Sequence, residues 1–223
     1  MVQPTGPGID RVDCDTSRAA EPTTDAQRDR RRRIVLTAMT MLQERGYDEI
    51  QMRDVAQQAG VALGTLYRYF PSKEQLFAHV LVEWSSSFDE AVRRRRPERG
   101  SDAERLRQVL RRAVGAFERH PNFLQVLTLL EVSKDPAVME PFATYSERFV
   151  SVVTDALLDT AEDDVPVLIL ITNSLLVTLL QGWWLGRYSI QSVHTGIDRA
   201  VDIVFEGART DPALAERRVT ARQ

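Results

Sequence analysis

The chain has 223 residues, a formal net charge of −3, and hydrophobic and charged fractions of 43% and 27%. This balance is typical of a folded globular protein and excludes a wholly disordered chain. A single cysteine excludes an intramolecular disulfide framework, and three separated histidines give no metal-binding motif, so we expect no metal and no cofactor. The first 25 residues lack the apolar core of a signal peptide, and the cytoplasm is therefore the expected location.

Charge is distributed unevenly along the chain. Residues 26–73 contain nine basic and five acidic side chains, a net charge of +4, which leaves −7 for the remainder. A basic segment on an acidic body favours an anionic partner for that segment alone. Nucleic acid is the first candidate, and an acidic membrane surface is the second.

Residues 1–25 hold several prolines and glycines without a periodic apolar pattern, which predicts a disordered tail. Helical periodicity begins near residue 26, where Ile34, Ala38, Met41 and Leu42 share one face. Gly46 follows in the position of a helix C-cap glycine.

Helical patterns continue to the end of the chain. Two short helices are predicted over 52–59 and 63–69, and capping boxes at Ser72/Gln75 and Ser101/Glu104 open helices that run to about 94 and 119. Further helices are predicted from Pro121 and over 137–161, 166–186 and 190–208, before a flexible tail over 209–223. No segment alternates with the period of a strand, so the predicted fold is all-α with about nine helices.

The segment Met52–Phe70 has the pattern of a helix-turn-helix. Ala56 is small enough for two helices to cross closely, and Gly60 can adopt the positive φ of a sharp turn. Val61 and Leu66 would fill the small core between the helices. A plain helical hairpin has a similar pattern and remains the alternative on these residues alone.

The run Gly64–Glu74 resembles the recognition helix and following turn of TetR-family transcriptional regulators, and the resemblance is dense over residues 28–85. Residues 51–53 and 61–65 resemble most closely the actinobacterial steroid-catabolism repressors. The resemblance implies a DNA-binding domain over 26–80 and a helical effector-binding and dimerisation domain over 81–208. It also implies a homodimer whose two recognition helices, roughly 34 Å apart, bind double-stranded DNA at a palindromic operator.

The resemblance assigns DNA contacts to eight positions around this motif, namely Arg53, Ala62, Leu63, Thr65, Tyr67, Arg68, Tyr69 and Lys73. Leu66 and Phe70 are assigned to the core. Ala62 stands where the family often has a capping serine, and we hypothesise that Ala62 and Leu63 contact thymine methyl groups. The basic run of Arg30, Arg31, Arg32 and Arg33 is either a DNA-binding arm or a solvated helix face.

Residues 165–186 carry no charge over 22 positions, a length that spans a bilayer. Polar residues within the stretch argue against insertion, and a helix apolar on all sides is otherwise buried. In the family this helix and the last one pair with their copies in a four-helix bundle. The resemblance therefore places five residues partly in a dimer interface: Leu176, Leu180, Trp183, Trp184 and Val201.

The remaining helices are expected to enclose a mostly apolar pocket. Its candidate lining residues are Phe117, Phe123, Leu127, Leu130, Phe149, Val153, Asn173 and Val177. Such a wall suits a lipid-like, steroid-like or acyl-CoA-like effector. The resemblance implies that the effector releases a repressor from DNA. No nucleophile–base pair, phosphate loop or carboxylate dyad indicates an enzyme, and a membrane-associated helical protein with a basic N-terminal segment is the alternative function.

Overall fold

The computed structural model describes residues 24–94 and 100–210, with the side chains of 87–94 and 207–210 left out of the description. Over these ranges the chain forms nine α-helices and two short 3-10 turns, and no strand. The all-α prediction is confirmed. The predicted N-terminal tail lies outside the described residues except for Thr24 and Asp25, and the predicted C-terminal tail lies outside them beyond Thr210.

The N-terminal part consists of three helices: α1 (Asp25–Glu44), α2 (Met52–Gln58) and α3 (Leu63–Tyr69). The predicted face of α1 is buried, since Ile34, Ala38 and Met41 have no exposed surface. The prediction for Gly46 is wrong, because its φ of −64° is an ordinary value and Arg45 caps α1 in an extended conformation. The chain turns there into a 3-10 turn (Tyr47–Glu49) that packs Tyr47 into the core.

Helix α4 (Lys73–Arg94) leaves the N-terminal part and continues into the C-terminal part. At its start, one of the two hydrogen bonds of the predicted capping box forms and the other does not. The Gln75 amide donates to the Ser72 hydroxyl over 3.1 Å, but the Gln75 side chain donates to the Asp135 carboxylate over 3.0 Å instead of folding back. The first turn of α4 is thereby bonded to the segment that opens a later helix.

The C-terminal part contains α5 (Asp102–Arg119), α6 (Asn122–Glu131), α7 (Pro136–Thr154), α8 (Val165–Trp184) and α9 (Ile190–Thr210). The capping box of α5 is confirmed, with Glu104 N donating to Ser101 Oγ over 3.3 Å and Ser101 N donating to Glu104 Oε2 over 2.8 Å. Helix α7 ends seven residues before the predicted position 161. It ends early because the buried Asp102 carboxylate accepts hydrogen bonds from the backbone amides of Leu158 and Asp159, which draws that segment across the start of α5.

Helix α8 carries no charged side chain, but it is not buried on all sides. Its inner face, with Leu176 and Leu180, lies in the core, whereas Val167, Leu170 and Ile171 are exposed. Among the described helices, the segment Glu162–Trp184 is long and apolar enough to cross a membrane, which by itself is weak support for a span. Gly186, with a φ of 72°, makes the turn that brings α9 back along α8.

Candidate nucleic-acid interface and ligand cavity

The turn between α2 and α3 has the geometry that the sequence predicts. Gly60 has a φ of 66°, a left-handed conformation that glycine adopts without steric cost. The amide of Val61 donates to the Ala56 carbonyl over 3.0 Å, which satisfies a carbonyl at the end of α2. Because Ala56 is buried at the crossing of the two helices, α3 is held at a fixed angle to α2.

One face of α3 is free and the other is buried. Ala62, Leu63, Tyr67 and Arg68 are exposed, and Thr65 is half-buried at the edge of the same face. Leu66 and Phe70 lie in the core, as predicted. The free face therefore offers a short apolar surface followed by a phenol and a guanidinium, which are groups that contact base edges and phosphates.

The prediction that Tyr69 contacts DNA is wrong. Its side chain is 2% exposed, and within the described residues its hydroxyl has no hydrogen-bond partner. Tyr69 follows Tyr67 by two positions, a rotation of roughly 200° around the helix axis, so the two rings point to opposite sides. Tyr67 lies on the free face and Tyr69 packs inward.

Two further residues that are predicted to contact DNA differ in how far other groups of the protein already bind them. Arg53, at the start of α2, has 73% of its side chain exposed. It lies 3.5 Å from the Asp54 carboxylate and donates to Gln51 Oε1 over 3.3 Å. Lys73 instead donates to the Tyr47 carbonyl over 2.5 Å, and its ammonium lies 3.9 Å from the centre of the Tyr47 ring. Burial lowers the pKa of Lys73, against the opposing charges of Asp48 and Glu74. Its bond to Tyr47 leaves two of its three donors for a phosphate.

The basic run of Arg30 to Arg33 is not an extended arm, because all four residues lie inside α1. Arg31 lies 2.7 Å from His79 Nε2 and 5.0 Å above the ring of Phe70. Arg33 donates to the Ala59 carbonyl over 3.0 Å, and Arg32 lies 3.6 Å from the Glu83 carboxylate. At least three of these arginines thus connect α1 with α2 and α4, which corrects the interpretation as an arm.

A cavity of about 300 Å³ lies in the C-terminal part between α4, α5, α6, α7 and α8. Its wall is mainly apolar and includes Trp84, Phe117, Phe142 and Phe149, and it reaches the surface where Val150, Pro166 and Leu170 are exposed. Trp84 stacks on Phe123 with the ring centres 4.6 Å apart, so one wall is a rigid aromatic cluster. Such a cavity accommodates an apolar molecule.

A few polar groups interrupt this wall, chiefly Arg148, Tyr145 and Asn173. Arg148 Nη1 donates to the Val82 carbonyl of α4 and lies 3.3 Å from Ser85 Oγ. Burial raises the pKa of the Tyr145 hydroxyl, and the nearby charge of Glu131 raises it further, so this phenol is a neutral donor. The cavity therefore combines an apolar body with a polar corner on α7.

Five of the eight residues predicted to line a pocket lie on the cavity wall: Phe117, Leu127, Phe149, Asn173 and Val177. The other three are not part of that wall. Phe123, Leu130 and Val153 are buried in the core of the C-terminal part. Sequence spacing missed Arg148 and Tyr145, because nothing in the sequence distinguishes them from the other polar residues of α7.

The predicted interface residues are mostly internal. Leu176, Leu180 and Val201 have at most 4% of their surface exposed and pack within the chain, so their assignment to an intermolecular surface is wrong. Trp183 is half-buried, and Trp184 is exposed. Besides Trp184, the large apolar side chains that are exposed on the described parts of α8 and α9 are Val167, Leu170, Ile171 and Ile203.

Helix α6 bonds the two parts of the chain directly. Asn122 donates to the Leu42 carbonyl at the end of α1 over 2.9 Å. Gln125 accepts from the Tyr47 amide over 3.2 Å and donates to Asp48 over 2.8 Å. Because α6 also contributes Leu127 to the cavity wall, one helix contacts both the cavity and the N-terminal part.

Within the described residues, no three His, Cys, Asp or Glu side chains lie close enough together to hold a metal ion.

Comparison with known proteins identifies the class of this fold. Residues 34–80 match the family of bacterial regulatory proteins named after the tetracycline repressor, TetR, and residues 100–204 match a tetracycline-repressor-like C-terminal domain. The HTH-type transcriptional repressor KstR of Mycolicibacterium smegmatis is 30% identical over 87% of this chain and 96% of its own. KstR of Mycobacterium tuberculosis is 30% identical over 83% of this chain and 85% of its own.

Solved structures agree with this assignment. A TetR transcriptional regulator from Rhodococcus sp. RHA1 superposes with a TM-score of 0.67, at 31% identity, over 82% of this chain and 98% of that one. The regulator FadR of Bacillus subtilis, solved with stearoyl-CoA, shares the fold with a TM-score of 0.62 at 19% identity, over 76% of this chain and 96% of that one. The chain belongs to the TetR family of DNA-binding transcriptional regulators.

Proposed function

We propose that the protein is a homodimeric, cytoplasmic repressor that binds a palindromic DNA operator and leaves it when a small, largely apolar effector occupies the cavity. The observation that carries this proposal is the free face of α3, which no other part of the described chain covers. It presents Leu63, Tyr67 and Arg68 on a helix fixed by the turn at Gly60. Two such helices on a two-fold dimer would lie in successive major grooves.

Dimerisation is supported by the outward face of α8 and α9. Val167, Leu170 and Ile171 follow one another at helical spacing and are exposed, and Ile203 of α9 is 62% exposed. An apolar strip of this kind on a folded chain marks a protein–protein contact. A second copy of the chain is the partner that a two-fold DNA site requires.

An apolar effector is supported by the cavity. Its aromatic and aliphatic wall offers few polar groups, which suits a lipid-like, steroid-like or acyl-CoA-like molecule. FadR of Bacillus subtilis, which shares the fold, was solved with stearoyl-CoA. Contacts of α4 and α6 with both the cavity and the N-terminal part give the ligand a route to bias the position of α3.

Selection of bound duplexes from random DNA, followed by measurement of the affinity for the selected site, tests the proposal. We expect a palindromic site and an affinity that falls steeply with salt. Arg68→Ala should weaken binding by tenfold or more, whereas Arg187→Ala, which removes an exposed arginine in the α8–α9 turn, should not. Enrichment of no duplex at low ionic strength would exclude DNA binding.

The exposed Ala62 and Leu63 extend this proposal to base reading. Both side chains are apolar and lie at the start of the free face, where they suit contacts with thymine methyl groups. Replacing the operator thymines one by one with uracil removes those methyl groups and no hydrogen-bonding group. We expect weaker binding at the contacted positions, and unchanged affinity at every position would refute the hypothesis.

A further inference from the structure

The described wall of the cavity carries one positively charged side chain. Of the described residues that line the cavity, Arg148 is the one base and Glu131 is the one acid. Glu131 is exposed at the end of α6, and no ion pair joins it to Arg148. Among the residues that the structure describes, no carboxylate therefore neutralises the Arg148 cation.

The Arg148 guanidinium is only partly used by the protein. Its Nη1 donates to the Val82 carbonyl and to Ser85 Oγ, both on α4. Its Nε and Nη2 groups make no hydrogen bond to a described residue. A guanidinium has five donors in a planar fork, and the unused ones suit the two oxygens of a carboxylate or phosphate.

A second donor lies one turn earlier on α7. Tyr145 and Arg148 are three positions apart and therefore share a face of the helix. The Tyr145 hydroxyl is neutral and makes no hydrogen bond to a described residue, while its ring packs near Phe142 with centres 5.9 Å apart. A cation and a neutral donor at one corner of an apolar cavity are complementary to a single anionic group.

We propose that Arg148 is the anion-binding residue of the cavity, and that the effector has an apolar body ending in one carboxylate or phosphate group. The proposal rests on the proposed function, because it names the chemistry of that function's ligand. A volume of about 300 Å³ favours a medium-length chain or a compact ring system over a large molecule. The guanidinium that would bind the anion also donates through Nη1 to the Val82 carbonyl, so the same residue connects ligand binding to α4.

Three ten-carbon probes that differ only in their head group test the proposal: decanoate, decyl phosphate and decanol. Isothermal titration calorimetry should show that the full-length protein binds one of the two anions at least about tenfold more tightly than decanol. Arg148→Met should lower the affinity for that anion to the level of decanol and leave decanol unchanged. The better anion identifies the head group.

Matched variants separate charge recognition from folding. Arg119→Met removes an exposed arginine of α5 that does not line the cavity, and it should keep the full preference for the anion. Arg148→Lys keeps the charge and should keep part of the preference, which decides the case if Arg148→Met does not fold. Equal binding of anion and alcohol, no binding of any probe, or an Arg148→Met variant that still prefers the anion would overturn the proposal.

Operator binding by the same preparations is the second readout. The preferred anion should weaken the binding of the wild-type protein to the selected operator several-fold, and should not do so for Arg148→Met. If the wild-type protein binds DNA but discriminates no anion, the inference on Arg148 fails while the proposed function stands. If anions bind through Arg148 but no duplex is bound, the proposed function fails instead.

Discussion

Tyr67 and Tyr69 show that the position of a residue on a short helix decides whether its side chain is exposed or buried. In the sequence the two tyrosines are equivalent, and the resemblance assigns both to DNA. In the structure Tyr67 is exposed, whereas Tyr69 is buried with an unpaired hydroxyl. The seven residues of α3 are too few for hydrophobic periodicity to distinguish its two faces. Which face is buried is therefore known only from the packing of the neighbouring helices.

Removing each hydroxyl separately tests this distinction. Tyr67→Phe should weaken operator binding several-fold, because it removes one hydrogen bond to a phosphate, worth about 0.5–1.5 kcal/mol. Tyr69→Phe should leave the affinity unchanged and raise the free energy of unfolding by ~1 kcal/mol, because it removes a buried unpaired donor. Fluorescence anisotropy and urea denaturation measure the two effects. Equal losses of DNA affinity in both variants would contradict the burial of Tyr69.

His79 is the second residue whose surroundings predict a measurable effect. Burial, together with the positive charge of Arg31, lowers the pKa of His79 from about 6.5 to about 4. The folded state therefore binds this proton less readily than the unfolded chain does. Neutral His79 therefore makes its full contribution to the free energy of unfolding above about pH 6.5. As the pH falls towards 4, this free energy decreases by up to ~3 kcal/mol.

Urea denaturation at a series of pH values measures this loss. His79→Gln keeps a hydrogen-bond acceptor for Arg31 but cannot be protonated in this range. The variant should lose less stability than the wild-type protein between pH 6.5 and pH 4. Parallel pH profiles for the two proteins would show that His79 is not the group responsible.

The start of α5 is fixed by a buried ion pair. Asp102 and Arg105 are each 4% exposed and are bonded to each other. Asp102 also accepts from the Thr160 hydroxyl over 2.6 Å, and Arg105 donates to the Ala156 carbonyl over 2.9 Å. The pair thus joins α5 to the segment that follows α7.

Asp102→Ala should lower the free energy of unfolding by about 3–5 kcal/mol, because it leaves the Arg105 charge buried with the exposed Asp159 as its remaining carboxylate partner among the described residues. Asp198→Ala is the matched control. It removes a carboxylate that pairs with Arg107 and Arg111 near the surface, and it should cost less than about 1 kcal/mol. Urea denaturation measures the free energy of unfolding of both variants. Similar losses would mean that the buried pair stabilises the fold no more than the pairs near the surface do.

The helices themselves were predictable where local chemistry defines them. The serine cap and glutamate of α5 fix its first residue, and Gly60 fixes the turn between α2 and α3. The end of α7 was not predictable, because it depends on Asp102, some 50 residues earlier in the chain. The inner face of α8 was not predictable either, because a helix without charges has no charged side to indicate which face is outside.

The outward face of α8 predicts the oligomeric state of the protein. Ile171→Glu places a charge on the exposed apolar strip and should convert a dimer into a monomer, which then binds the operator far more weakly. Val132→Glu introduces the same charge at an exposed valine after α6 and should leave the dimer intact. Sedimentation velocity distinguishes the two species. A dimer that persists in Ile171→Glu would place the interface elsewhere.

Leu170 belongs to two surfaces at once, since it lines the cavity and is also 66% exposed on the outward face of α8. If a second subunit covers that face, it also narrows the passage by which small molecules enter and leave. Exchange of a bound molecule would then be slowest where subunits are abundant and paired. The bound molecule would thus remain longer on the protein as the amount of regulator that a cell makes increases.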